Sequence, residues 1–152
     1  YSNVLELVSS PGGWSEYMIK KYPTSNVYAI DLIDMEPIEG VTFFKDSIEN
    51  LYNLQEILKL KGCFKLVISD IAPNLSGISA VDSENILNLN MITVKIASDF
   101  LDSSGSMIMK TFQNSNLKTL RKNMELSFKL VQTYKPAASK KQSGEIYLYG
   151  VK

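Results

Sequence analysis

Lys110 follows the apolar run Met107-Ile108-Met109 and precedes Thr111-Phe112. A lysine at the end of such a strand has no structural reason to be there unless it is paired. An apolar setting also lowers its pKa toward the range of a general base. Asp70 ends a second apolar run, Leu66-Val67-Ile68-Ser69, and leads into Ile71-Ala72-Pro73-Asn74. A carboxylate there needs a partner or a ligand to offset its desolvation, unless it simply caps a loop. Glu145 opens the last strand after Ser143-Gly144. It reaches the same crevice if that strand inserts beside the one carrying Lys110, and is otherwise an exposed strand-initial acid.

A different chemistry is suggested near the start. Ser10-Pro11-Gly12-Gly13-Trp14 follows an apolar strand and opens a helix. Two positions without Cβ let a ligand approach the backbone closely, although a tight turn alone would need the same glycines. Asp31, followed by Leu32, ends the next strand roughly 20 residues on, where open α/β sheets place a carboxylate that accepts from ribose hydroxyls. Together they suggest an adenosine-containing cofactor. Val8 stands where a dinucleotide fingerprint has its first glycine, and Trp14 adds bulk near the helix amides. A sulfonium cofactor without phosphate fits better than a diphosphate. Asp46 and Ser47 follow a third strand, and either hydrogen-bonds an adenine edge or caps the next helix.

The elements that must hold these residues follow from the apolar pattern. Strands are expected at Val4 to Val8, Val27 to Ile30, Val41 to Phe44, Phe64 to Ser69, Ser106 to Met109, Phe128 to Thr133 and Glu145 to Tyr149. Helices are expected from Trp14 to Lys21, along Ile48, Leu51, Leu54 and Leu58 up to Gly62, along Leu89, Ile92, Ile96 and Phe100 up to Ser104-Gly105, and along Leu117, Leu120 and Met124. Asn74 to Asp82 reads as a Gly/Ser loop. The alternation breaks only at the last two strands, whose connection has no room for a helix. A mostly parallel sheet closed by one antiparallel strand is therefore expected, with ligands at the carboxyl ends of its strands.

With 152 residues the chain matches one domain. It has no histidine, which excludes histidine-based triads, a histidine general base and most zinc or iron sites, and no metal is expected. One cysteine, Cys63, cannot form an internal disulfide and favours a reducing compartment. Sixteen basic and sixteen acidic residues cancel, which argues against a nonspecific nucleic-acid binder, although Lys135, Lys140 and Lys141 cluster. No apolar run approaches the ~20 residues that span a bilayer, and there is no secretory signal. The first strand begins almost at Tyr1, as expected of a trimmed domain.

At these residues the chain resembles the FtsJ/RrmJ family of S-adenosylmethionine-dependent ribosomal RNA 2′-O-ribose methyltransferases. The likeness is carried in order by residues 9–15 (SSPGGWS), 31–41 (DLIDMEPIEGV), 66–77 (LVISDIAPNLSG), 109–113 (MKTFQ) and 135–147 (KPAASKKQSGEIY). It implies a Rossmann-like fold of seven strands, the last antiparallel, in a single methyltransferase domain spanning residues 1–152 that lacks its N-terminal segment. It also implies a Lys-Asp-Lys-Glu tetrad whose last three members are Asp70, Lys110 and Glu145, the first lysine lying before the cofactor loop.

The cofactor implied is S-adenosyl-L-methionine, held by Ser10, Pro11, Gly12, Gly13, Trp14, Asp31, Leu32, Asp46, Ser47 and Asp70. In the implied mechanism Lys110 takes the proton of a ribose 2′-hydroxyl, Asp70 positions it and Glu145 orients a lysine or the ribose. The expected partner is ribosomal RNA or the large ribosomal subunit, met by a monomer away from any membrane, with Ser139, Lys140 and Lys141 near phosphate. The cytoplasm is the expected compartment, with nucleus or mitochondrion as alternatives if a targeting segment is missing. Val8 and the Asp46-Ser47 pair depart from the family pattern. They motivate the alternative of a catalytically degenerate member that binds RNA or a ribosomal particle.

Overall fold

The computed structural model describes residues 2–7, 13–70, 76–135 and 144–152. They form a seven-stranded sheet in the order β3-β2-β1-β4-β5-β7-β6. The strands are β1 (Asn3–Leu7), β2 (Asn26–Asp31), β3 (Val41–Lys45), β4 (Phe64–Ser69), β5 (Leu101–Phe112), β6 (Leu130–Tyr134) and β7 (Glu145–Val151). The first five pair in parallel, while β7 runs antiparallel to both β5 and β6. The expected α/β architecture is present, and its closing strand lies beside the lysine strand.

Period-two alternation divides the strands between two cores. Leu5, Leu7, Val67, Met107, Met109 and Leu148 pack against Val94, Ala97 and Phe100 of α3 (Ser79–Phe100) and Leu120 and Met124 of α4 (Leu117–Glu125). Val4, Val27 and Ile68 face the other way, against Met18 of α1 (Gly13–Lys21). Ile108 and Lys110 alternate with Met107 and Met109, so the lysine emerges on the α1 side of the sheet.

Several boundaries differ from the sequence reading, and β5 continues past Lys110 to Phe112, so the lysine lies within the strand rather than after it. The helix expected from Ile48 to Gly62 is a 3₁₀ helix, Ile48–Asn53, followed by the short α2, Gln55–Leu58. Leu54 between them is extended, at φ −88° and ψ 100°. The buried residues are Ile48, Leu51 and Ile57, and that spacing of three fits the 3₁₀ repeat at least as well as the α repeat. Helix α3 starts at Ser79, inside the segment read as loop, and the Asp82 backbone N–H already donates to Ile78 O at 2.9 Å. The Asp82 carboxylate accepts from Ser76 N and Gly77 N, which satisfies amides at the helix entrance.

Strand β5 begins at Leu101 with no turn at Ser104-Gly105. Its register with β4 shifts between Phe64 and Leu66, and Gly105 lies where a Cβ would sit 2.9 Å from the Phe64 carbonyl oxygen. The glycine is required by that close approach rather than by a helix end. Phe128 is buried but precedes β6, its backbone N–H donating to Met124 O at 2.8 Å as α4 finishes. Val8 lies outside the described residues.

A buried polar pair fastens the lysine strand to α3. Asn90 Nδ2 donates to Thr111 Oγ1 at 2.7 Å, and both residues are buried. Asn90→Leu would strand the threonine hydroxyl and is expected to cost about 1–3 kcal/mol in urea unfolding. Asn90→Leu with Thr111→Val removes both partners and should recover most of that loss. A double variant no more stable than the single one would show that the pair does not act as a unit.

Candidate active site

The parallel strands end on one side of the sheet, and there β4, β5 and β7 bring three charged side chains together. Lys110 Nζ lies 2.8 Å from Asp70 Oδ1 and 3.8 Å from Glu145 Oε2. The lysine side chain is 12% exposed, while both carboxylates are roughly one-third exposed. Two sequence features produce this. Asp70 directly follows β4, and the β5–β7 register sets Glu145 opposite Phe112 and Tyr147 opposite Lys110. Gly144, directly before Glu145, has φ 63°, a conformation that favours glycine, and its carbonyl accepts from Gln113 N at 2.9 Å.

The protonation of Lys110 runs opposite to the sequence expectation. Burial is the largest influence and lowers its pKa, as the apolar neighbours suggested. The hydrogen bond and charge of Asp70, with the charges of Glu145 and Tyr147, outweigh it and leave the ammonium more stable than usual. Tyr147, on the same face, has its pKa raised by burial, then by Asp70 and Glu145, with Lys110 opposing. The sequence reading passed over Tyr147, although its position two residues after Glu145 places it on the same strand face.

Glu6 was missed as well. It is 1% exposed, and it is the one charged residue within β1. The Ser15 hydroxyl of α1 donates to its carboxylate. Burial raises its pKa to about 7, against the lowering effect of Ser15, and the charges of Asp70 and Asp31 push the same way. Glu6 on β1 thus feels the carboxylates that end β2 and follow β4.

Asp31 is buried at the end of β2, and its Oδ1 accepts from Ile33 N at 3.3 Å. Leu32 and Ile33 beyond it are 65% and 66% exposed, an apolar pair at the crevice edge. At the end of β3, Ser47 caps the 3₁₀ helix by accepting from Glu49 N. Asp46 Oδ1 accepts from Ser47 N at 2.7 Å and Asn50 Nδ2 at 2.9 Å. Ser47 is thus the helix cap, while Asp46 braces the capping residue and Asn50. Trp14 stands in the first turn of α1 and lines a groove of about 730 Å³ with Ile108, Tyr147 and Tyr149, running down the sheet from the lysine. Gly13 begins α1, while Ser10, Pro11 and Gly12 lie outside the described residues.

The sequence model of the family described as FtsJ-like methyltransferase matches residues 2–152. The chain belongs to this family. Among its FtsJ-like relatives is the Ribosomal RNA large subunit methyltransferase E of Buchnera aphidicola subsp. Cinara cedri. It is 37% identical over 155 residues, covering 99% of this chain and 74% of the relative. The protein of the same name from Dechloromonas aromatica is 37% identical over 150 residues, covering 97% and 73%. A solved Plasmodium falciparum structure described as a ribosomal RNA methyltransferase superposes with a TM-score of 0.85 at 25% identity, over 99% of this chain and 85% of that one. The fibrillarin pre-rRNA processing protein of Methanococcus jannaschii shares the fold, with a TM-score of 0.71 at 16% identity over 99% and 66%. No described helix of this FtsJ-like chain is long and apolar enough to cross a membrane.

Proposed function

We propose that the chain transfers a methyl group from S-adenosyl-L-methionine to a ribose 2′-hydroxyl of ribosomal RNA. The observation that carries this reading is the nearly buried Lys110 ammonium held between Asp70 and Glu145 at the strand ends. The relatives named as large-subunit ribosomal RNA methyltransferases supply the substrate class.

The chain's own residues suit a cationic adenosine ligand. Glu6 feels the charges of Asp70 and Asp31, and a positive charge in the crevice would ease its ionisation. Asp31 would take the ribose hydroxyls, Leu32 the apolar adenine face, and Asp46 and Ser47 the neighbouring edge. Residues 10–14 would hold the amino-acid end. S-adenosylmethionine supplies an electrophilic methyl on a positively charged sulfur.

Lys110 Nζ receives the proton of the 2′-hydroxyl as that oxygen becomes the nucleophile. Asp70 fixes the amine at 2.8 Å, and Glu145 orients the lysine or ribose from the other side. Because both carboxylates favour the ammonium, Lys110 acts as a base only after losing a proton it holds tightly. Placement supplies much of the acceleration, since in-line transfer from a sulfonium needs alignment more than covalent activation. We place the protein in the cytoplasm, acting as a monomer on the large subunit.

The test is a tritiated-methyl assay on ribosomal subunits isolated from cells lacking the protein. Label should enter large-subunit RNA and map to one alkali-resistant dinucleotide, the signature of a blocked 2′-hydroxyl. Label in a base, or in protein, would remove the ribose reading.

A further inference from the structure

The neutral net charge conceals a division along the chain. Residues 1–112 hold fourteen acidic and eight basic residues, whereas residues 113–152 hold eight basic and two acidic ones. The topology turns this into two sides of the sheet. Strands β1 to β3 and their loops carry Glu6, Asp31, Asp34 and Asp46 toward one edge, and α4 with β6 makes the other. Lys110 sits on β5, between them.

The basic side begins just past the carboxyl end of β5 and continues on the α4 face of the sheet, opposite the face from which Lys110 emerges. Gln113, whose amide is bonded to Gly144 beside Glu145, opens a groove of about 480 Å³ that runs along α4 past Lys118, Arg121 and Lys122, with Glu125 at its far end. Lys118 and Lys122 are exposed and one helical turn apart. Arg121 is held inward, donating to Thr133 Oγ1 and to Val131 O at 3.1 Å, which fastens α4 to β6. The register continues from Lys110 through Tyr147 to Tyr134 across β7 and β6, so exposed Lys135 follows at the level of the reactive lysine.

We infer that Lys118, Lys122 and Lys135 form the surface on which the RNA backbone flanking the modified nucleotide lies. This rests on the reading of the substrate as RNA. The division of charge separates two ligands of opposite sign: a cationic cofactor is drawn to the acidic edge and a polyanion to the basic one, and their reacting groups meet at Lys110. Phosphate contacts of this kind fix position without reading sequence, leaving the choice of nucleotide to the crevice and the shape of the RNA.

The experiment compares wild-type protein with a Lys118→Ala, Lys122→Ala, Lys135→Ala variant, using a Lys59→Ala control at the end of the sheet where the parallel strands begin. Binding of a fluorescent single-stranded RNA oligonucleotide is followed by anisotropy across a salt series, and KM and kcat are measured on large ribosomal subunits. The triple variant should bind roughly tenfold more weakly, and its log–log salt slope should fall by about 2, near 0.7 per lost single-strand phosphate contact. Its KM for subunits should rise with kcat nearly unchanged, and Lys59→Ala should match wild type. A salt slope equal to wild type, or a fall in kcat alone, overturns the assignment. If wild-type protein transfers no methyl to RNA while binding still depends on the three lysines, the reaction proposed above fails and the surface stands.

Discussion

Lys110→Ala is expected to lower methyl transfer by roughly 100- to 10,000-fold, the range over which a positioned proton acceptor contributes. Affinity for S-adenosylmethionine should remain nearly intact. Lys110→Arg refines the experiment. A guanidinium keeps the positive charge facing Asp70 and Glu145, preserving the local electrostatics, yet it does not give up a proton in this pH range. Arginine should therefore keep the fold and the cofactor affinity while losing the activity. An active arginine variant would reduce Lys110 to a cation that steadies the oxygen. Equal loss of transfer and cofactor binding in both variants would make it a structural ion pair.

The same lysine sets a pH profile. Its pKa is raised, so below that value the neutral amine is the minor form, and its fraction grows about tenfold per pH unit. Single-turnover methyl transfer should climb through the alkaline range until the protein itself unfolds. Stability has the opposite sense. The ammonium's pairing is fully present below the lysine's unfolded pKa, and its contribution is lost as pH rises through the higher folded value. A rate flat between pH 7 and 9 would sink the proton-acceptor role.

Much of this arrangement is legible in the sequence. An apolar run that ends in a charge is a local signal, and Asp70 and Lys110 both carry it because a parallel strand buried on two faces needs continuous hydrophobic residues up to the point where it emerges. The antiparallel β7 followed from a connection too short for a crossover helix. The features that escaped are sums over distant partners. Lys110 keeps its proton because two carboxylates from other strands stand near it, and sequence spacing does not give those distances. Glu6 was overlooked because one acid in Val4-Leu5-Glu6-Leu7 looks like an ordinary interruption, and its partner Ser15 comes from the next element. The helix expected from Ile48 onward failed because apolar residues three apart suit a 3₁₀ turn as well as an α-helix. Extended Leu54 decided between them.

Glu6 carries the second large effect. Its carboxyl ionises near pH 4.5 in the unfolded chain and at about 7 in the folded one. Between those values the native state holds more protons than the unfolded state, so stability falls as pH rises through this window and levels off above it. For a residue this buried the penalty amounts to roughly 3 kcal/mol at full development. Glu6→Gln retains an acceptor for Ser15 and removes the charge. It should leave stability near pH 4.5 almost unchanged and raise it above pH 7 by an amount of that order, read as a flattened pH dependence of the urea midpoint. The stability given up by wild-type protein is recovered when a positive ligand occupies the crevice, because the ionised Glu6 then faces a cation as well as Asp31 and Asp70. S-adenosylmethionine affinity should accordingly strengthen between pH 6 and 8 in wild type and vary little in Glu6→Gln. If the glutamine variant is no more stable than wild type at pH 8, Glu6 is not carrying a buried charge. The electrostatic case for a cationic ligand would then rest on Asp31 and Asp70 alone.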